Sequence, residues 1–544
     1  MKRSFLRLAT PFAVAALALT ACSGGGDGGS EGGGSDAGEA GGTNYVVANN
    51  SEPQNLLIPT NINETGGGKV ADLIFAGLVY YDADGAVHND LAESIETEDS
   101  QLYTIKLVEG KTFSDGSPVT ANNFVDAWNQ GVREAHLSSY FFEPIKGYPE
   151  GGEPGPDFDT LEGLAVVDDL TFTVELAQPE ADFPLRLGYS AFYPLHEDGI
   201  GNEAHGGAPI GNGPYMLESA DDWKHNESMI LKVNPEYDGP RKAQNDGIEF
   251  KFYAQQDAAY NDLLAGNLDV LDAVPDSAFS TFEDELGDRA VNQPSAIFQS
   301  FTIPDRLDHF GGEEGILRKQ AISLAINRQE ITDTIFQGTR TPAHDFTSPV
   351  IDGYDENVAG NEILNYDPEK AKELWAQADE ISPWEGQFKI AYNADGGHQA
   401  WVDATANSIK NTLGIDAVGD PYPDFKSLRD LVTNREIESA FRTGWQADYP
   451  GLGNFLAPLY ATGAGSNDGD YSNAEVDDLF KQAAAADSVE ESTELYLQAQ
   501  EVLFQDLPAI PLWYSNVTGG SAETVDNVQF GWNSVPLYYQ ITKK

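Results

Sequence analysis

Leu102-Tyr103-Thr104-Ile105-Lys106-Leu107 alternates apolar and polar side chains, and Phe113-Ser114-Asp115-Gly116-Ser117-Pro118-Val119-Thr120-Ala121 follows shortly after. Successive side chains of an extended chain point to opposite faces, so the alternation predicts a half-buried strand. Asp115-Gly116 predicts a turn. Thr120 then caps a helix that runs through Phe124 and Trp128. Strand, turn and capped helix in this order place the segment in the α/β class.

The same signals extend in both directions. Folded sequence starts near Tyr45-Val46-Val47, a helix is predicted over Lys69 to Ala76, and Thr171 to Leu176 repeats the period-two pattern. Residues 147–160, rich in glycine, proline and acid, read as a surface loop, and Pro235 to Gly239 ends a strand-like run. Tyr260–Leu264 and Leu268–Val274 continue the alternation of helix and strand. Leu317, Ala321, Leu324 and Ala325 have helical spacing, and Asn327 with Glu330 offers a capping box for the next helix. Asp367-Pro368-Glu369 combines an N-cap with proline at the first helical position. Gly414 stops a helix that ends with Ile409 and Leu413. A last long helix is expected from about Glu490 to Phe504, with a strand over Ile510 to Tyr514.

The amino terminus carries a different kind of information. Lys2, Arg3 and Arg7 precede an apolar run from Leu8 to Ala18, which is too short to span a bilayer and suits a signal peptide. The chain's only cysteine, Cys22, ends Leu19-Thr20-Ala21-Cys22, a pattern that resembles the lipobox of bacterial lipoproteins. Cleavage before Cys22 and thioether lipidation of its nucleophilic thiol are therefore expected. Ser23 to Gly42 holds eleven glycines among serine and acidic residues. Such a tract cannot bury enough apolar surface to fold and forms a leash spanning roughly 25 Å.

Composition excludes several function classes. A formal charge of −57 repels phosphate backbones and anionic headgroups, so no nucleic-acid partner is expected. A single cysteine rules out an internal disulfide. Removal of residues 1–21 leaves 523 of the 544, enough for about two to four domains. His88, His136, His196, His205, His225, His309, His344 and His398 are scattered without ligand spacing, so no metal and no cofactor is expected. Asp82-Ala83-Asp84-Gly85 and Asn467-Asp468-Gly469-Asp470 faintly resemble calcium loops but lack the full spacing, and turns explain them better. The one G-x-S-x-G, Gly28 to Gly32, falls inside the leash, away from the strand–turn–helix that a nucleophilic serine needs. The sequence displays no catalytic constellation, and no enzyme activity is expected.

Several segments, in order, resemble the extracellular solute-binding proteins of peptide-type ABC importers, the oligopeptide/dipeptide-binding family 5. They include Glu52-Pro53-Gln54-Asn55-Leu56, Phe75-Ala76-Gly77-Leu78-Val79, and the opening pair of segments from Tyr103 to Leu107 and Phe113 to Ala121. Pro209-Ile210-Gly211-Asn212-Gly213-Pro214-Tyr215, Asn234-Pro235-Glu236-Tyr237 and Ala265 to Val270 follow. In the second half come Leu317 to Ala321, Tyr366 to Ala371, and Gly444-Trp445-Gln446-Ala447-Asp448-Tyr449-Pro450. Tyr471 to Asp477 and Pro508 to Leu512 complete a series that spans nearly the whole mature chain. Most of these residues also have structural readings: Pro214 stiffens a loop, Asp367 caps a helix and Gly414 stops one.

The resemblance implies an α/β, two-lobe, periplasmic-binding-protein-like fold of type II, cluster C, with an extra α/β domain inserted in the first lobe. The implied boundaries are a signal peptide over 1–21, a lipidated linker over 22–43, and lobe I from 44–80, 206–298 and 516–544. The inserted domain is 81–205 and lobe II is 299–515. The implied function is capture of extracellular oligopeptides between closing lobes and delivery to ABC permease subunits. The protein would act as a monomer, lipid-anchored on the extracellular face of the cell membrane, or on the periplasmic side in a host with an outer membrane. Asp448 is the main implied site residue, pairing with a peptide's α-ammonium group. Trp445 and Tyr449 would form apolar walls, with core packing as the equal alternative, and Arg442 would lie near the ligand carboxylate unless a structural ion pair claims it. Asn63 and Glu64 are expected to face the cleft. Asn55, Ile58 to Asn61 and Asn212 depart from the family pattern and could alter the ligand. A non-peptide solute such as an oligosaccharide on the same scaffold is the alternative.

Overall fold

The structure, a computed structural model, describes residues 44–149, 154, 158–253, 255–394, 397–423 and 425–544. The expected signal peptide, the expected lipidation site at Cys22, the glycine-rich tract and Gly28 to Gly32 lie outside the described residues. Asn44–Lys544 forms a compact unit.

Its backbone is a twelve-stranded mixed sheet. One half contains Tyr45–Asn50, which pairs in parallel with Gly247–Phe252; that strand in turn pairs antiparallel with Ser228–Val233. The other half contains Gln387–Asn393 between two parallel neighbours, Asp416–Tyr422 and Ala440–Gln446. Two 13-residue antiparallel strands, Ala290–Thr302 and Ala509–Ser521, run through both halves. Their pairing is irregular between Pro294 and Phe298, where Pro294 faces Asn516 and Phe298 faces Tyr514. Proline has no N–H to give a ladder, which suits it to such a break. The amide of Ala296, inside the break, donates instead to the Trp532 carbonyl at 3.2 Å, and its carbonyl accepts from Ala447 N–H at 2.9 Å.

Separate apolar cores accompany these parts. Val46, Val70, Ile248 and Phe250 pack with Phe530 and Ile541, so the carboxyl terminus returns to the first strand's core. A second core is built on the antiparallel sheet Ala92–Glu96, Leu102–Leu107, Thr171–Glu175 and Leu164–Asp168. Tyr103, Ile105 and Leu107 point inward, as the alternation requires. Against them packs Ala121–Arg133, whose Thr120 and Asn123 complete a capping box. A third core runs from Phe298 through Trp401 to Trp513.

Local signals are obeyed with instructive exceptions. Asp367 caps Pro368–Ile381 by accepting from Lys370 N–H at 3.0 Å, and Gly414, at φ 74°, ends Gln399–Leu413. The long carboxy-terminal helix is Val489–Asp506 and the strand after it Ala509–Ser521. The box at Asn327 is half formed: its side chain accepts from Glu330 N–H, while its own N–H donates to Ser408 Oγ at 3.1 Å. The helix expected over Lys69 to Ala76 is Thr65–Ile74. Its first turn holds three glycines, poor helix formers that hide it from a propensity reading. Glu64 caps it from outside, both carboxylate oxygens accepting from Gly67 N–H, and a Cβ on Gly67 would lie 2.4 Å from Glu64 Oε1.

Both calcium-like stretches are turns. Asp82 Oδ1 accepts the N–H groups of Asp84 and Ala86, and Gly85 takes φ 85°. Asp468 pairs with Arg429 and Arg435, and Asp470 with Arg306 and Arg435. Among the described residues there is no cluster of three histidine, cysteine, aspartate or glutamate residues that could hold a metal.

Candidate functional site

A cavity of about 350 Å³ opens where the cores meet. Three distant stretches form much of its wall: Ile62 to Leu73, Gln446 to Asp448, and Gly531 to Tyr539. The broken strand ties two of them together, because Ala296 holds Ala447 on one side and Trp532 on the other.

Asp448 follows directly on the strand Ala440–Gln446. Gly451 caps the next helix, Leu452–Tyr460, whose first turn carries Asn454. Asn454 Nδ2 donates to Asp448 Oδ2 at 3.3 Å, and Asn454 Oδ1 accepts Asp448 N–H at 3.0 Å. Among the described residues no lysine, arginine or histidine nitrogen forms an ion pair with this carboxylate. Burial pushes the Asp448 carboxyl above its ordinary range, and the bond from Asn454 and the field of Arg186 offset only part of this.

Asn63 and Glu64 share the cavity wall with Asp448. Glu64 is largely committed to its helix cap and also accepts from Gln54 N–H at 3.1 Å. Trp445 and Arg442 sit elsewhere. They line a second cavity of about 240 Å³, together with Ser300, Thr443 and Asp468. Trp445 Nε1 donates to Asn454 Oδ1 at 3.3 Å, and Arg442 Nε donates to Asn393 Oδ1 at 2.8 Å. Tyr449 is 7% exposed and lies in neither wall. Its ring sits under the Arg186 guanidinium, 5.0 Å from centroid to Cζ, and Arg186 also binds Glu180 at 2.5 Å.

The departures from the family pattern fall outside the cavity wall. Asn212 is 2% exposed and staples the backbone, accepting from Ala76 N–H and donating to the Ala76 carbonyl, both at 3.1 Å. Asn55 Nδ2 donates to the Asn61 carbonyl at 3.4 Å, and Thr60 bonds His136 at 2.7 Å.

Reading the sequence missed most of the wall. Tyr80, Tyr81, Tyr189, Tyr193, Trp532 and Tyr538 face the same space, as do Asp72, Lys69 and Arg241. Lys69 is paired with Asp272, and Arg241 donates to the Asp72 carbonyl at 2.6 Å, the Phe75 carbonyl at 3.0 Å and Asp90 at 3.4 Å. Two adjacent tyrosine pairs, Tyr80-Tyr81 and Tyr538-Tyr539, stand in the wall, and nothing local in the sequence ties one to the other. A cavity with an unpaired carboxylate, an aromatic wall and cations already engaged can hold an ammonium group.

Comparison with known proteins bears on the same question. The sequence model of the family described as "Bacterial extracellular solute-binding proteins, family 5 Middle" matches residues 86–467. The chain is 26% identical to the oligopeptide-binding protein OppA of Bacillus subtilis over 535 residues, covering 94% of each chain. Among solved structures, the unliganded open form of the murein tripeptide-binding protein MppA has a TM-score of 0.81 at 22% identity, covering 92% of this chain and 98% of that one. Helicobacter pylori DppA in complex with the peptide STSA has a TM-score of 0.66 at 22% identity, with the same coverage. These structural likenesses establish the two-lobe, type II solute-binding fold. No helix among the described residues is long and apolar enough to cross a membrane.

Proposed function

The chain belongs to the bacterial extracellular solute-binding proteins of family 5, and from that membership we propose that it captures oligopeptides for an ABC importer. Asp448 anchors the peptide's α-ammonium group. The observation that carries this reading is the half-buried Asp448 carboxylate, held by Asn454 in a cavity wall and forming no ion pair among the described residues. The relatives named as oligopeptide- and dipeptide-binding proteins support it.

Lobe I comprises 44–80, 206–298 and 516–544, lobe II 299–515, and 81–205 is the inserted domain. The separate apolar cores and the broken pairing between Pro294 and Phe298 support a hinge at the lobe boundary. A ligand that touches both lobes favours the closed state by its differential affinity for it, and the closed state docks on the permease. The peptide backbone is held much as an added strand is, which leaves side-chain pockets tolerant. Cys22 carries the lipid and the following glycine-rich leash keeps the monomeric body near its permease; the lipobox-like pattern and the composition of 23–42 support this. Binding, not catalysis, is the activity.

The ring-rich wall supports a second reading, an oligosaccharide ligand, since sugars stack on aromatic faces. An unpaired acid in the same wall weighs towards an ammonium ligand. Native mass spectrometry of the purified protein should detect co-purifying peptides, and added peptides should raise its Tm. If peptides neither co-purify nor raise Tm, the assignment is wrong.

A further inference from the structure

Asp448 has a counterpart in the other wall of the cavity. Asp72, on the helix Thr65–Ile74, accepts a hydrogen bond from the Tyr193 hydroxyl at 2.8 Å, and no cation among the described residues forms an ion pair with its carboxylate. Arg241 stands in the same wall, but its donors go to two backbone carbonyls and Asp90. Lys69 is held by Asp272, which also accepts from Asn49 Nδ2 at 2.6 Å. Each cation of the wall thus meets a carboxylate outside it, and Glu64, Asp72, Asp82 and Asp448 set the charge of the cavity. Burial raises the Asp72 carboxyl above its usual range, only partly offset by Tyr193 and Arg241. A cationic guest would relieve that cost.

Tyr538, also in the wall, is 1% exposed, and among the described residues its buried hydroxyl has no hydrogen-bond partner, an unfavourable state for a polar group. Tyr80, Tyr81 and Tyr189 add aromatic rings to the same wall, and such rings attract cations.

We infer that the cavity selects peptides with a lysine or arginine among their first residues, Asp448 taking the α-ammonium and Asp72 the side-chain cation. This rests on the peptide reading above and goes further by naming the class of peptide.

Isothermal titration of the full chain with Lys-Ala-Ala, Ala-Ala-Ala and Glu-Ala-Ala at neutral pH tests it. Lys-Ala-Ala should bind about tenfold more tightly than Ala-Ala-Ala, and Glu-Ala-Ala more weakly, with the gap shrinking as salt rises. Asp72→Asn should abolish the preference, so that Lys-Ala-Ala and Ala-Ala-Ala bind the variant alike. Tyr193→Phe keeps the charge while removing the bond, and should keep the preference. Should Asp72→Asn fail to fold, the three-peptide series and Tyr193→Phe still decide. Equal affinities for the lysine and alanine peptides, or a preference that survives Asp72→Asn, overturns the inference and leaves the peptide reading standing. If none of the three binds and no peptide co-purifies, both fall.

Discussion

Asn454 grips Asp448 at two points, donating from Nδ2 to Oδ2 at 3.3 Å and accepting the backbone N–H on Oδ1 at 3.0 Å. The same Oδ1 accepts from Trp445 Nε1 at 3.3 Å, so one amide orients both the site carboxylate and the tryptophan beside it. Asn454 is 5% exposed, so little water competes for these bonds.

Asn454→Ala leaves the Asp448 amide and the Trp445 indole without their acceptor. A buried polar group left unpaired costs about 1–3 kcal/mol, and urea unfolding should show a loss of that order. Peptide affinity should fall as well, because the carboxylate loses its fixed direction. Unchanged affinity in a folded variant would mean that Asn454 serves packing alone.

Arg186 joins a segment of the second core to Tyr449, the neighbour of Asp448. Its guanidinium binds Glu180 and covers the Tyr449 ring, and Tyr449 Oη lies 3.5 Å from Asp182 Oδ2. Burial raises both the Glu180 and Asp182 carboxyls, and the positive charge of Arg186 does most to hold them down. Arg186→Met should therefore destabilise by about 3–5 kcal/mol at neutral pH, since one partner's removal strands buried charge. Adding Glu180→Gln to Arg186→Met should recover part of the loss in thermal melts. Additive losses would show that the two groups do not interact.

The turn Pro209 to Tyr215 carries a structural prediction. A Cβ on Gly213 would lie 2.7 Å from Leu73 O, Ile74 C and Phe75 N, and one on Gly211 would lie 2.2 Å from Ile74 O. Backbone on the far side cannot yield as a side chain can. Gly213→Ala should cost about 1–3 kcal/mol or more by overpacking. A neutral effect in chemical denaturation would show that the turn and Phe75 separate freely.

How much of this the sequence discloses depends on whether the signal is local. Tyr103, Ile105 and Leu107 face inward because strand geometry alone fixes alternate sides, and the caps at Asp367 and Gly414 lie within a few residues of what they cap. The helix Thr65–Ile74 was displaced because its cap is a long carboxylate and its first turn is glycine. Asp448, Asn63 and Glu64, expected to face one cleft, line one cavity, while Trp445, three residues before Asp448, lines another. Asp72 and Tyr538 carried no periodic or compositional mark, since their roles arise only when chain segments hundreds of residues apart form one wall.

Asp448 should make peptide binding depend on pH in a defined direction. Its carboxyl is raised in the folded protein by burial. Between the ordinary carboxylate value of about 3.9 and the raised value, the folded protein holds a proton that the unfolded chain has released. The Asp448 contribution to stability therefore falls as pH rises through that window, and Asp448→Asn should make the slope shallower, leaving the share of other raised carboxyls such as Asp72, Glu180 and Asp182. A bound α-ammonium favours the ionised carboxylate, so binding below the raised value expels a proton and affinity falls as pH drops. On the alkaline side the peptide's amino group loses its own proton near about pH 8, which gives a second limb. Titration calorimetry in two buffers of different ionisation enthalpy should detect the proton release, and Asp448→Asn should flatten the acid limb while leaving the alkaline limb in place. An acid limb that persists in Asp448→Asn would assign the anchoring charge to another carboxylate, with Asp72 the first to test.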